Sequence, residues 1–436
     1  MSAPRLSRTA LAAAGRPLAA APVRIVHLGA GAFHRAHQAW YTARATDAAD
    51  WGIAAFTGRS DQVVRRLAPQ RGVFTLVERG PQHDRFELVG SIAEVHPAAD
   101  LHRLRALVAA PETAVVTLTV TEAGYRLRPD GELDLDDPDV AADIAALAGD
   151  GRLLRTPLAR LLRALDDRRL AHANPLAIVP CDNLPANGER VRRALASLAR
   201  AAGVADASAV ASFVTTSVDR ITPRTTAADL DAVEAGTGWR DEAAVVTEPF
   251  TDWTLCGQFP AGRPQWEAAG ARFVDDIEPA VRRKLLLLNG GHLVLAFEGQ
   301  RRGCTTVADA MRVRECRAAL ERFWDEADRT CGGGNAEYRA QLVARFENPR
   351  IEHGLAQIAV DTVTKLRLRV LPVVRAERAA GRSAAGAAGV VAAWAACLRD
   401  GLATTAGDPA GAFAALAEAA DERDAAFLAS AAVGER

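Results

Sequence analysis

Residues 23–31 read Val-Arg-Ile-Val-His-Leu-Gly-Ala-Gly, an apolar run of strand length ending in Gly29 and Gly31. The stretch that follows, 33–45, has helical character. A strand, a glycine turn and a helix in that order open a dinucleotide-binding βαβ unit, because glycines let the backbone approach a pyrophosphate at the helix N-terminus. The match to G-x-G-x-x-G is incomplete, since the third glycine position holds His34. Alone, such a motif is a weak signal.

Outward from this stretch, strand-like runs recur at 51–57, 72–78, 114–122 and 176–183, separated by helical or polar segments such as 61–68 and 138–168. Strands alternating with helices predict an open, mostly parallel α/β sheet. From about residue 276 the texture changes, and 278–299, 305–328, 336–346, 351–379, 384–399 and 408–431 all read as helices. The expected organisation is an N-terminal arm (1–22), a Rossmann-like doubly wound α/β domain that binds a dinucleotide (23–275), and a mostly α-helical C-terminal domain that carries substrate and catalysis (276–436). The arm is Ala-rich with several arginines, but Arg16 and Pro17 break its apolar run, which reads against a targeting peptide.

Composition excludes several classes. Fifty-three Lys and Arg against 54 Asp and Glu give a formal net charge of −1, which argues against a nucleic-acid or anionic-membrane binder. No stretch approaches the ~20 apolar residues of a membrane span. Six scattered cysteines without a C-x-x-C pair read as reduced thiols of a cytoplasmic protein, with no disulfide framework and no zinc site.

Only two of the 53 basic residues are lysines, Lys284 and Lys365. In a chain this biased towards arginine, a retained lysine marks a place where a guanidinium, which cannot lose its proton, would not serve. The plain alternative is chance survival at the surface. Lys284 opens Lys-Leu-Leu-Leu-Leu-Asn-Gly-Gly-His, which sets Asn289 and His292 in the same apolar run. On a regular helix Asn289 and His292 lie about 60° apart and Lys284 and His292 about 80° apart, so all three share one side. Each alone reads as a snorkelling lysine, a helix-breaking Asn-Gly-Gly or a satisfied core histidine; together they favour a site. Asn183, just past the strand-like run at 176–183, is where doubly wound sheets bind ligands, though a turn or cap role reads equally well. Asp219 and Arg220 read either as part of a site or as a local ion pair.

These residues carry a family resemblance. IVHLGAGAFHRAHQ at 25–38, TLTVTEAGY at 117–125, CDNLPANG at 181–188, VDRITP at 218–223 and VDDIEP with KLLLLNGGH within 274–292 occur in the order found in the polyol-specific long-chain dehydrogenases. The resemblance covers about 20–400 and implies a metal-independent, nicotinamide-dependent alcohol/ketone oxidoreductase of carbohydrate metabolism. It implies Lys284 as general acid/base, Asn183 and Asn289 on the substrate oxygen and His292 on a neighbouring hydroxyl. Two amide donors aimed at a forming alkoxide act as an oxyanion hole, and a lysine desolvated by leucines and facing a cationic ring would have a lowered pKa. Gly29, Gly31, Phe33, Arg59, Val120 and Asp219 are the candidate cofactor-binding residues. NAD is the expected cofactor, while Arg59, near the end of the second strand-like run, leaves NADP open.

Other polyol-oxidising chemistries fit less well. Tyr41, Tyr125 and Tyr338 are followed four residues later by Ala45, Pro129 and Leu342, so the Tyr-x-x-x-Lys pair of short-chain enzymes is missing, and no zinc-ligand spacing is convincing. Mannitol-type members carry R-D-G-S-x-K, where this chain has Val360-Asp-Thr-Val-Thr-Lys365 followed by Arg367 and Arg369. That departure looks closer to the uronate reductases, with Lys365, Arg367 and Arg369 as candidate substrate-binding residues and a carboxylate as their partner; their plain role is exposed helix charge. The expected substrate is a keto-hexuronate of the fructuronate/mannonate type. The alternatives are mannitol/fructose or another polyol, and, from a different class, a non-catalytic nucleotide-binding or sensor protein. The expected partners are the small sugar or sugar acid alone, with no nucleic acid and no membrane; the oligomeric state stays open.

Overall fold

A computed structural model describes residues 3–402 except 59, 150 and 152, together with 414, 416, 426, 427, 429 and 430. The chain divides into two units, Met1–Arg79 with Asp84–Ile277 and Gly80–His83 with Glu278–Arg436.

The strands of the first unit are β1 Val23–Leu28, β2 Gly52–Phe56, β3 Phe74–Arg79, β4 Asp84–Val89, β5 Ile92–His96, β6 Val115–Leu118, β7 Leu176–Pro180, β8 Ala211–Phe213, β9 Thr215–Asp219, β10 Val245–Thr247, β11 Asp252–Cys256 and β12 Arg272–Phe273. Six form one parallel sheet in the order β5-β2-β1-β6-β7-β8. Counted along that sheet alone the order is 3-2-1-4-5-6, that of a dinucleotide-binding Rossmann domain, with its switch point between β1 and β6. β2, β6 and β7 are buried throughout, as strands covered on both faces must be. Val26, Leu28, Phe56, Val116 and Leu118 face a core built with helices Leu101–Ala109, Pro138–Ala148, Pro157–Ala171 and Asn187–Ala202. The alternate residues Ile25, Ile53, Ala55 and Val115 face a second core with Trp40, Tyr41, Trp253 and Trp266.

Three local expectations change. The run at 72–78 forms β3, but β3 leaves the main sheet, pairs antiparallel with β4 and parallel with β10, and β5 takes the expected place. The Asp241 carboxylate fixes this departure by accepting from Thr75 N (2.5 Å) and Gln70 Nε2 (2.8 Å). The segment 138–168 becomes two helices, the second restarting at Pro157 behind the Thr156 cap. Residues of the expected arm dock on the first unit: Leu6 and Leu11 pack with Val73 and Trp239, and the Arg8 guanidinium donates to the carbonyls of Arg71, Leu18, Gly90 and Ile92 at 2.6–2.9 Å.

The second unit is helical, built around the buried helix Gly290–Gln300 with Arg314–Thr330 and Ala385–Arg399 against it. Expected long helices break where the backbone demands it. Val313 is extended and separates Val307–Arg312 from Arg314–Thr330. Asp361, at φ +53°, precedes Thr362–Arg369, and Pro372 marks the start of Leu371–Ala379. The expected helix 408–431 lies, but for six scattered residues, outside the described residues. Among the described residues no helix is long and apolar enough to cross a membrane.

Candidate active site

β1 ends at the switch point in Gly29, whose φ of +105° favours glycine. A Cβ there would lie 2.6 Å from the Thr119 carbonyl oxygen, so glycine is also required by the close approach of β6. Gly29 N–H and Ala30 N–H both donate to the Phe56 carbonyl (2.9 and 2.8 Å), drawing the turn over the end of β2. Beside it opens a cavity of about 650 Å³ within the first unit, lined by Gly29, Gly31, Phe56, Thr57, Gly58, Ser60, Thr119, Val120, Thr121, Arg126, Arg155, Thr156 and Arg160 among others. The place, the bare glycine backbone and the size suit a dinucleotide.

Of the expected cofactor residues, Gly29, Gly31 and Val120 line this cavity, whereas Phe33 and Asp219 are not in its lining. Phe33 stacks on His37 (4.9 Å) against the second core, and Asp219 ends β9 opposite Asp252 in the small sheet. Arg59 lies outside the described residues. Arg220 is no local partner of Asp219: it is buried, donates to the Ala36 carbonyl at 2.7 Å and the Glu248 carbonyl at 3.2 Å, and pairs with Glu78. Thr119 was readable from its place just past β6. Arg155 and Arg160 carry no sequence signal, because they reach the cavity from a segment remote in the chain. Asp139, at the start of the Pro138–Ala148 helix, ties Arg126 and Arg155 together (2.7 and 3.3 Å).

Asn183 is exposed in the loop after β7. Its neighbours are pinned: Tyr125 Oη donates to Asp182 Oδ2 (2.6 Å), Leu184 N donates to Asp182 Oδ1 (2.9 Å), and Asn187 joins the Pro180 carbonyl to Thr216 N (3.2 and 2.9 Å). Burial raises the Asp182 pKa and pushes that of Tyr125 well up, so the phenol stays a donor at neutral pH.

In the second unit the regular helix expected at 284–292 is wrong in its first half: Lys284–Asn289 is a π turn, and Gly290 N–H donates five residues back to Leu285. The cause is the wall behind it. Cβ atoms at Gly290 and Gly291 would lie 2.7 Å from Phe323 and 2.8 Å from Trp324, and Trp324 Nε1 donates to the Leu287 carbonyl at 2.7 Å. Such insertions often mark functional sites. The angular estimate for a regular helix therefore does not apply across Lys284 and Asn289. Lys284 and Asn289 are half-buried. His292 is buried against Phe346 (4.6 Å) and His353 (4.5 Å), and its Nε2 has no hydrogen-bond partner among the described residues. Burial, followed by the charges of His353, Arg345 and Arg369, holds its pKa well below the usual value. A pKa lowered in this way favours the neutral imidazole.

Among the expected substrate residues, Arg369 Nη1 reaches the Asn289 carbonyl (3.4 Å). Arg367 sits two residues earlier, roughly 200° around the helix from Arg369. Lys365 Nζ donates to the Ile358 carbonyl (2.9 Å), with its pKa lowered by burial and then by Arg369.

Profiles of the Mannitol dehydrogenase Rossmann domain and the Mannitol dehydrogenase C-terminal domain match residues 23–268 and 276–410. The chain belongs to the mannitol dehydrogenase family. It is an oxidoreductase. Within the family it is 36% identical to D-mannonate oxidoreductase of Escherichia coli over 81% of this chain and 75% of that protein. It is also 36% identical to D-arabinitol 4-dehydrogenase of Ralstonia nicotianae, over 82% and 79%. The mannitol 2-dehydrogenase of Pseudomonas fluorescens, solved as a ternary complex with NAD and D-mannitol, superposes with a TM-score of 0.76 at 32% identity, over 98% of this chain and 91% of that one.

Proposed function

We propose that this enzyme uses NAD to interconvert a keto-hexuronate of the fructuronate type and its reduced sugar acid of the mannonate type, without a metal. The glycine turn and cavity at β1, β2 and β6 hold the nucleotide, with Gly29, Gly31, Thr119 and Val120 against it. NAD, when bound, supplies the hydride acceptor and, reduced, the donor. Lys284 takes the alcohol proton in oxidation and returns it in reduction. The amide N–H groups of Asn183 and Asn289 donate to the alkoxide as it develops, where charge stabilisation contributes most. His292, kept neutral, offers its unpartnered Nε2 to an adjacent hydroxyl.

The observation that carries the uronate reading is the placement of Arg369 against Asn289, with Arg369 and Arg345 both acting electrostatically on His292. A cation beside the residues expected to hold the sugar suits a substrate carboxylate, whereas Val360, at the position where mannitol-type members carry arginine, is half exposed. The 36% identity to a D-mannonate oxidoreductase supports the same reading. Absorbance at 340 nm with NADH and fructuronate, tagaturonate, fructose and xylulose tests it. Fructuronate is expected to give the highest kcat/KM, and Arg369→Ala to lower its advantage over fructose by roughly ten- to a hundredfold, as loss of a charged hydrogen bond would. A wild type that prefers fructose, or an unchanged ratio in the variant, refutes the uronate reading and leaves mannitol/fructose as the pair.

A further inference from the structure

His27, fully buried on β1, lies within hydrogen-bond distance of two hydroxyls of β6: Nδ1 is 2.8 Å from Thr117 Oγ1 and Nε2 is 3.0 Å from Thr119 Oγ1. Thr119 Oγ1 in turn donates to the Gly29 carbonyl at 2.8 Å. A hydroxyl has one proton, so Thr119, which spends its proton on Gly29, accepts from His27; Nε2 therefore carries the imidazole hydrogen and Nδ1 accepts from Thr117. The chain has one direction, from Thr117 through His27 and Thr119 to the carbonyl of the cofactor turn. His34, which occupies the third glycine position of the dinucleotide fingerprint, lays its ring flat on His27 with centroids 3.4 Å apart and planes 11° apart. In the usual fingerprint that glycine lets helix and strand pack closely. Here the two are joined through stacked imidazoles, and burial brings the His27 pKa down to about 3 and that of His34 well below the usual value, so neither ring is charged.

We propose that this directed hydrogen-bond chain, braced by His34, fixes the Gly29 turn against the nucleotide in place of the missing third glycine, which makes His27 and Thr119 positioning residues for the cofactor. The inference rests on the NAD reading above.

Fluorescence titration with NADH, alongside thermal unfolding, tests it on the full-length enzyme. Thr119→Val keeps the shape and removes the hydroxyl, and is expected to weaken NADH binding about tenfold, the worth of roughly one hydrogen bond, with a Tm drop of a few degrees because the buried His27 Nε2–H and the Gly29 carbonyl lose this partner. Thr119→Ser restores the hydroxyl and is expected to bind within about twofold of wild type. His34→Gly, which recreates the ordinary fingerprint, is expected to weaken binding. Wild-type affinity in Thr119→Val or in His34→Gly overturns the proposal, as does a serine variant as weak as the valine one. A wild type that binds no NADH would instead overturn the cofactor reading.

Discussion

Gly291→Ala separates two opposing effects in the 284–292 segment. On helix propensity alone the substitution stabilises, by about 1 kcal/mol. The packing reverses that sign. The new Cβ would lie 2.8 Å from Trp324 Nε1 and 3.1 Å from Leu320 Cδ1, and both side chains are fully buried. Overpacking of this kind costs about 1–3 kcal/mol. Moving the indole also breaks its 2.7 Å bond to the Leu287 carbonyl, leaving a buried donor and acceptor unpaired at about 1–3 kcal/mol. The net expectation is a loss of about 3 kcal/mol in the helical unit, or a Tm drop of roughly 6–12 °C for a unit of this size. Because the same indole holds the π turn between Lys284 and Asn289, kcat is expected to fall about a hundredfold as those groups shift by ~1 Å. Circular dichroism melts and initial rates at 340 nm check both. A variant at least as stable as wild type would show that propensity wins and that the wall does not shape the turn.

Lys284→Arg is expected to lower kcat by at least ~10² while NADH still binds, because a guanidinium cannot accept the alcohol proton; near-normal turnover would remove Lys284 from its role. Gly29→Ala should abolish NADH binding in titration, since it combines positive φ with a 2.6 Å contact to backbone, whereas Gly58→Ala, on the same cavity with open space around it, should bind nearly normally. Hydrogen bonds from Arg382 and then Arg329 hold the Glu377 pKa down at about 2 from 4.5. A depressed carboxylate pKa gives stability that is complete above about 4.5 and lost as pH falls towards 2; the difference in Tm between wild type and Glu377→Gln should therefore shrink across that window and would contradict this account if it stayed constant. His292→Gln should lower kcat/KM without changing the shape of the pH profile, because the buried imidazole stays neutral.

What the sequence by itself determined is what depends on local backbone chemistry or on residue type. The glycine turn at Gly29 was legible because only glycine serves at that φ, and the parallel sheet because its strands are continuous apolar runs. Lys284 stood out because a chain that uses arginine for nearly every cation kept a lysine there. The tertiary structure decided everything that turns on which partner a segment meets. An apolar run at 72–78 says strand but not which sheet; the buried Asp241 carboxylate settles that from 166 residues away. The π turn cannot be read from Lys-Leu-Leu-Leu-Leu-Asn, because the indole of Trp324 and the ring of Phe323, which press on Gly290 and Gly291, come from another helix. Arg155 and Arg160 reach the cavity beside Gly29, and Arg369 meets the Asn289 carbonyl, for the same reason. His34 looked like a defect in the fingerprint until His27, seven residues earlier, was found stacked beneath it. Local propensity acts over a turn or two of chain, whereas side-chain contacts are made across whatever distance the fold closes, and no single segment carries that information.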